Sequence, residues 1–155
     1  MTQLVPMVKP LRGSLLIITA LISLSLLNYL YNYVLNWNSV MSIEEQLNTE
    51  TVQFRNETTI QILFNILFIG FLAPVIEELL FRGFLFSYLN RSGKVLFASL
   101  LTSALFGLMH SGLFFFAFTM SIMSIMLYKY TKSLRASIYF HIAWNSLSVL
   151  LNYLQ

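Results

Sequence analysis

The chain has 155 residues, of which 57% are hydrophobic and only 10% are charged, and it contains 14 Phe and no Cys. A soluble domain carries about 25% charged residues, so this composition excludes an ordinary soluble enzyme and predicts a membrane protein. The lack of Cys excludes disulfides, thiolate catalysis and Cys-ligated metal. We attribute the net charge of +3 to membrane orientation and contact with anionic lipid, so no nucleic-acid partner is expected.

Long uncharged segments predict five spanning helices, since one span needs about 20 apolar residues. The first is predicted at about 14–36. The second, at about 58–90, is too long for one straight span, and Pro74 predicts a kink or break in it because proline removes a backbone donor and clashes with the preceding turn. The others are predicted at about 95–110, 113–128 and 135–154, with a tight turn at Ser111-Gly112. The expected fold is an all-α, polytopic transmembrane helix bundle with a kinked second helix.

Basic residues lie at alternate ends of successive spans, and they are Lys9, Arg12, Arg91, Lys94, Lys129, Lys132 and Arg135. The segment 38–58 instead holds four Glu and a single Arg. By the positive-inside rule, the chain is predicted to cross the cell membrane several times with a cytoplasmic N-terminus, and the acidic loop faces outside.

Three charged side chains, Glu77, Glu78 and Arg82, interrupt an otherwise apolar second span. An ionised group at bilayer depth costs roughly 2.5–3.5 kcal/mol and indicates a functional site. Residues four apart share a helix face, which predicts an ion pair between Glu78 and Arg82. Glu77 is rotated by about 100° from Glu78, and we interpret it as the carboxylate free to do chemistry.

The two histidines of the chain are His110, which ends the third span, and His141, in the fifth. Asn145 follows His141 by four residues and therefore shares its face, while Phe106 precedes His110 by four. Helix rise places Glu77 roughly 21 Å from the Arg91 end and His141 only roughly 9 Å from the Arg135 end. Tilting or kinking must therefore bring His141 to the level of Glu77.

These motifs, Glu77-Glu78-x-x-x-Arg82, Phe106-x-x-x-His110 and His141-x-x-x-Asn145, in this order on successive spans, resemble the CAAX-protease and bacteriocin-processing family of intramembrane proteases, also called CPBP or Abi. The resemblance covers about residues 60–155. It divides the chain into an N-terminal transmembrane anchor and acidic outer loop, 1–58, and a protease core, 59–155.

The resemblance implies an intramembrane endopeptidase that hydrolyses a peptide or a small membrane protein. Carried over by position, Glu77 and His110 polarise the attacking water, and His141 and Asn145 stabilise the oxyanion. Glu78 and Arg82 brace the site, and Phe106 lines it beside His110. A Ser-His-Asp triad is excluded because the chain has no Asp, and it has no H-E-x-x-H motif.

The sequence leaves the cofactor and the physiological role open. No cofactor is firmly implied, but a divalent metal such as zinc fits as an alternative, with Glu77, His110 and His141 as three ligands and an open fourth position. The alternative function is a bacteriocin self-immunity protein that binds with little or no proteolysis. A proton-coupled transporter ranks last because no repeat symmetry is present. The oligomeric state does not follow from the sequence.

Overall fold

Helices make up nearly all of the chain that the computed structural model describes, namely residues 10–36, 58–110 and 113–154, and no strand occurs in these ranges. The elements are α1 (Pro10–Asn36), α2 (Thr59–Ser92), α3 (Val95–Leu108), α4 (Phe114–Thr131) and α5 (Leu134–Leu154). The predicted all-α bundle of five helices is confirmed, and α1 begins four residues earlier than expected. The acidic loop before Thr58 and the Ser111-Gly112 turn lie outside the described residues.

The ends of α2 follow from local side-chain and backbone chemistry. Thr58 forms a capping box with Gln61, in which the Thr58 side chain accepts from the Gln61 N–H and the Gln61 side chain accepts from the Thr58 N–H. Reciprocal bonds of this kind satisfy donors that the first helical turn leaves free. At the other end Gly93 adopts a φ of +74°, a left-handed conformation that ends helices and favours glycine.

The interruption predicted at Pro74 takes the form of a π-helical segment, Phe68–Leu72, directly before it. The Ala73 N–H donates to the carbonyl of Phe68, five residues back rather than four. The helix then continues as an α-helical segment, Ala73–Glu78, and a second π-helical segment, Leu79–Phe86. The chain therefore stays helical through the proline, and single-turn π segments in helices are frequent at functional sites.

Three buried apolar clusters hold the helices together. One joins α1, α4 and α5 through Leu24, Met120, Leu127 and Phe140, which are all fully or almost fully buried. The second joins α2, α3 and α4 through Phe81, Phe106 and Ala117, and the third joins the same helices through Phe86, Ala98 and Ile125. The helix α1 thus packs on the helices that also contribute to the polar interior described below.

Large apolar side chains cover much of the outer surface of the bundle. Ile60, Phe84 and Leu96, for example, are each more than two-thirds exposed. Such exposure is unfavourable in water, and extended apolar surface of this kind marks a membrane or partner contact. Two described helices, Thr59–Ser92 and Phe114–Thr131, are long and apolar enough to cross a membrane. Together these features indicate a membrane protein.

Candidate active site

The structure brings Glu77 and Glu78 of α2 against His141 of α5. The Nδ1 atom of His141 lies 3.0 Å from Glu78 Oε1, and its Nε2 atom lies 3.5 Å from Glu77 Oε2. One imidazole therefore faces both carboxylates, one with each ring nitrogen. The predicted difference in depth between Glu77 and His141 does not keep the two side chains apart.

Glu78 is the buried centre of this cluster. Its Oε1 atom contacts Arg82 Nη1 at 3.1 Å and accepts a hydrogen bond from the Ser124 hydroxyl at 3.1 Å, in addition to its contact with His141. Glu78 and Arg82 are both fully buried. The guanidinium of Arg82 also lies over the Phe106 ring, 4.8 Å from its centroid, which adds a cation–π contact. The ion pair predicted from the i, i+4 spacing is present in this geometry.

Glu77 differs from Glu78 in its access to the surroundings. The Glu77 side chain is 28% exposed, whereas that of Glu78 is 0% exposed. Because the two residues are successive on one helix, they point about 100° apart. A partly exposed carboxylate beside an imidazole can reach a water molecule or a substrate, and a fully enclosed one can only support its neighbours.

His110 reaches the cluster through Phe106. The His110 ring lies 4.4 Å from the Phe106 ring, which in turn lies 5.8 Å from the His141 ring in an edge-to-face arrangement. His110 Nδ1 lies 2.8 Å from the Phe106 carbonyl oxygen. A carbonyl only accepts, so Nδ1 carries the proton and a neutral His110 keeps a lone pair on Nε2. Across the described parts of the chain, no hydrogen bond or ion pair joins His110 to Glu77.

Asn145 occupies a place that the sequence did not predict. Its Nδ2 atom donates to the carbonyl oxygen of Ile69, at 3.2 Å, in the π-helical segment of α2. One of its two amide hydrogens is therefore used by the backbone, and the other remains for a further acceptor. The structure thus places Asn145 one helical turn from His141, as predicted, but bonded to the neighbouring helix.

Sequence reasoning did not single out two serines that support the site. Ser124 donates to Glu78, and Ser137 donates to the Ser124 carbonyl at 2.8 Å, with both side chains fully buried. Their hydroxyl groups inside apolar spans could have indicated this role, because such groups commonly form hydrogen bonds between membrane helices. Serine is also frequent in such spans for packing reasons, so the signal is weak when read alone.

The predicted zinc ligands do not form a ready ligand set. Within the described residues, no group of three His, Cys, Asp or Glu side chains is close enough to hold a metal ion. His141 already contacts a carboxylate with each ring nitrogen. The set Glu77, His110 and His141 therefore does not fit zinc as it is arranged here, and no catalytic step is routed through a metal below.

Comparison with known families places most of the helical core in one of them. The model of the type II CAAX prenyl endopeptidase Rce1-like family matches residues 59–147, which is more than half of the chain. The chain belongs to this family. The match includes all three motifs of the candidate site, and it confirms the resemblance that those motifs suggested. Neither a curated protein nor a solved structure gave a significant match.

Membership of the Rce1-like family supports a CAAX-type intramembrane protease acting on membrane-associated peptides or proteins. The division into an anchor, 1–58, and a core, 59–155, stays a prediction, although α1 packs directly on α4 and α5.

Proposed function

We propose that this protein is an intramembrane endopeptidase that hydrolyses membrane-tethered peptides with a water molecule activated by Glu77. The observation that carries this proposal is the contact of the partly exposed Glu77 carboxylate with His141 Nε2, at 3.5 Å, on a site braced from the buried side by Glu78. A general base has to lie within reach of the proton that it accepts, and the 28% exposure of the Glu77 side chain gives it access to a water molecule.

The hydrogen bonds of His141 define its role in this proposal. Glu78 Oε1 is a carboxylate acceptor, so His141 Nδ1 donates to it. The site holds two carboxylates and one guanidinium, and a second proton on Nε2 makes the numbers of negative and positive charges equal. An uncompensated charge in an apolar interior is strongly unfavourable. His141 Nε2–H is then a donor that faces the reaction space.

The reaction follows from these assignments. Glu77 accepts a proton from water as the water oxygen attacks the carbon of the scissile peptide bond. The carbonyl oxygen becomes an oxyanion, which accepts hydrogen bonds from His141 Nε2–H and from the second amide hydrogen of Asn145. Preorganised donors of this type are worth about 3–4 kcal/mol each in other hydrolases. Glu77 then returns the proton to the leaving nitrogen as the carbon–nitrogen bond breaks.

The remaining residues of the site position Glu77, His141 and Asn145 or the water molecule. His110, with its lone pair on Nε2, accepts a hydrogen bond from the same water and orients it. The Phe106 ring contacts the His110 ring and the His141 ring. Glu78 and Arg82 fix the orientation of His141 from the buried side, as outer-shell carboxylates commonly do for histidines.

Cleavage by the purified protein tests the proposal. We expect wild-type protein in lipid vesicles to cleave a prenylated peptide that ends in a CAAX sequence or an unprenylated transmembrane peptide, with products identified by mass spectrometry. The first substrate follows the family description, and the second follows the sequence-based expectation of a small membrane peptide. Failure to cleave either peptide, with folded protein shown by circular dichroism, would overturn the proposal.

The membrane orientation gives a second test. We propose that the chain crosses the membrane several times with its N-terminus in the cytoplasm, from the distribution of Lys and Arg. Ser92 and Thr59 lie at opposite ends of α2 and are both exposed. Because the chain has no Cys of its own, single cysteines at these positions report only on their own side.

The expected result is labelling of Ser92→Cys by a membrane-impermeant thiol reagent in inverted vesicles, and labelling of Thr59→Cys in right-side-out cells. The reverse pattern would invert the topology. Labelling of both from one face would show that α2 does not cross the membrane.

A further inference from the structure

The π-helical segment before Pro74 leaves two backbone carbonyls of α2 without their usual partners. The Ile69 carbonyl would bond the Ala73 N–H in an α-helix, but that N–H donates to Phe68 instead. The Gly70 carbonyl would bond the N–H of residue 74, which is proline and has none. Backbone carbonyls in an apolar interior need a donor, so a donor from another helix can replace the usual N–H partners of Ile69 and Gly70.

Two successive side chains of α5 supply these donors. Asn145 Nδ2 donates to the Ile69 carbonyl at 3.2 Å, and Ser146 Oγ donates to the Gly70 carbonyl at 3.1 Å. Gly70 permits this approach, because a Cβ atom there would lie 3.2 Å from Ser146 Oγ and 3.5 Å from Ser146 Cα. Adjacent residues on one helix therefore meet adjacent carbonyls on the other at close range.

These two bonds lie about one helical turn from His141 on α5 and about two turns from Glu77 on α2. On α5, Asn145 follows His141 by four residues. On α2, Glu77 follows Ile69 by eight residues and Gly70 by seven. A sliding of one helix against the other by one residue would move a side chain by about 1.5 Å, which is large beside the 3.5 Å separation of Glu77 Oε2 and His141 Nε2.

We infer that Asn145 and Ser146 form a clamp on the freed carbonyls of Ile69 and Gly70 that fixes the register of α2 against α5. This inference assigns Ser146 as a positioning residue for Glu77, and it rests on the proposed function for its effect on catalysis. Within the described residues, the hydrogen bond of the Ser146 side chain goes to Gly70 and not to Glu77. Ser146 acts through the backbone of α2, which positions Glu77 relative to His141.

The catalytic part is tested with Ser146→Ala, with Ser148→Ala on the same helix as the matched control. A displacement of about 1 Å in a catalytic group lowers the rate by about 100-fold. We therefore expect Ser146→Ala to lower kcat by between about 10-fold and 100-fold per folded molecule, with KM little changed, and Ser148→Ala to change neither. An equal kcat for the two variants would overturn the positioning role.

The clamp itself is tested by thermal unfolding, which does not depend on catalysis. In the Pro74→Ala background, the N–H of residue 74 is restored and the Gly70 carbonyl regains a donor within its own helix. We expect Ser146→Ala to lower the melting temperature in the wild-type background and to lower it less in the Pro74→Ala background. Equal shifts in both backgrounds would overturn the clamp. If the clamp is supported and the wild-type protein cleaves nothing, the proposed function alone fails.

Discussion

Replacement of Glu77 by glutamine will abolish peptide cleavage and leave the folded protein intact. Glutamine has nearly the same shape as glutamate but does not accept a proton from water, and general-base catalysis contributes about 10²–10⁴-fold to rate. The folded state should tolerate the change because Glu77 is partly exposed and lies 3.5 Å from His141, whereas Glu78 carries the close contacts of the cluster. Product mass spectrometry and thermal unfolding in detergent measure the two effects separately.

The matched control for this variant is Glu57→Gln, the same chemical change in the segment before α2, which should leave cleavage unchanged. His110→Ala should also abolish cleavage, since it removes the second group that orients the water. Full activity in Glu77→Gln would show that another group is the base. Equal losses in Glu57→Gln and Glu77→Gln would show that the effect is not specific to the site.

The fold could be predicted closely because the physics of a membrane span is simple. Runs without charge have to be helical in lipid, where every backbone group needs an internal partner. The helices α2 and α5 accordingly lie within two residues of the predicted bounds at both ends. Pro74 also predicted an interruption in α2, since proline always removes a donor.

The form of that interruption could not be predicted from the sequence. Proline can bend, break or merely locally rewind a helix, and the outcome depends on which neighbouring groups satisfy the freed carbonyls. Here Asn145 and Ser146 do so from α5. This is a tertiary contact between residues more than 70 positions apart in the chain, and no local sequence pattern predicts it.

Local sequence patterns also predicted only part of the candidate site. The Glu78–Arg82 contact followed from helix spacing alone. The contacts of His141 with both glutamates did not, because helix rise measured from the basic ends placed His141 at a shallower depth than Glu77. That estimate assumed that the basic ends of α2 and α5 lie at one level. Only the packing of α5 against α2 determines which turn of one helix meets which turn of the other.

The second large effect is expected at Arg82, where Arg82→Ala should destabilise the folded protein far more than Glu77→Gln. Arg82 and Glu78 are fully buried and 3.1 Å apart. Removal of one partner of a buried ion pair costs about 3–5 kcal/mol because it leaves the other charge uncompensated. In Arg82→Ala, Glu78 would keep its bonds to Ser124 and His141 but lose the guanidinium that balances its charge.

Removal of both charges should restore much of this stability. In the double variant Glu78→Gln with Arg82→Gln, the amide oxygen at position 78 can still accept from Ser124 and from His141 Nδ1–H, while no unpaired buried charge remains. Replacement of a buried pair by neutral groups is often close to neutral in stability. The order of melting temperatures in detergent should therefore be wild type, then the double variant, then Arg82→Ala.

Arg91 provides the matched control for the loss of an arginine from the same helix. It is exposed and lies over the Tyr88 ring, 5.3 Å from its centroid, and surface substitutions usually change stability by no more than about 0.5 kcal/mol. Arg91→Ala should therefore melt close to wild type. A melting temperature for Arg82→Ala equal to that of Arg91→Ala would reject the stabilising ion pair. A double variant less stable than Arg82→Ala would show that the negative charge of Glu78 stabilises the site even without the guanidinium.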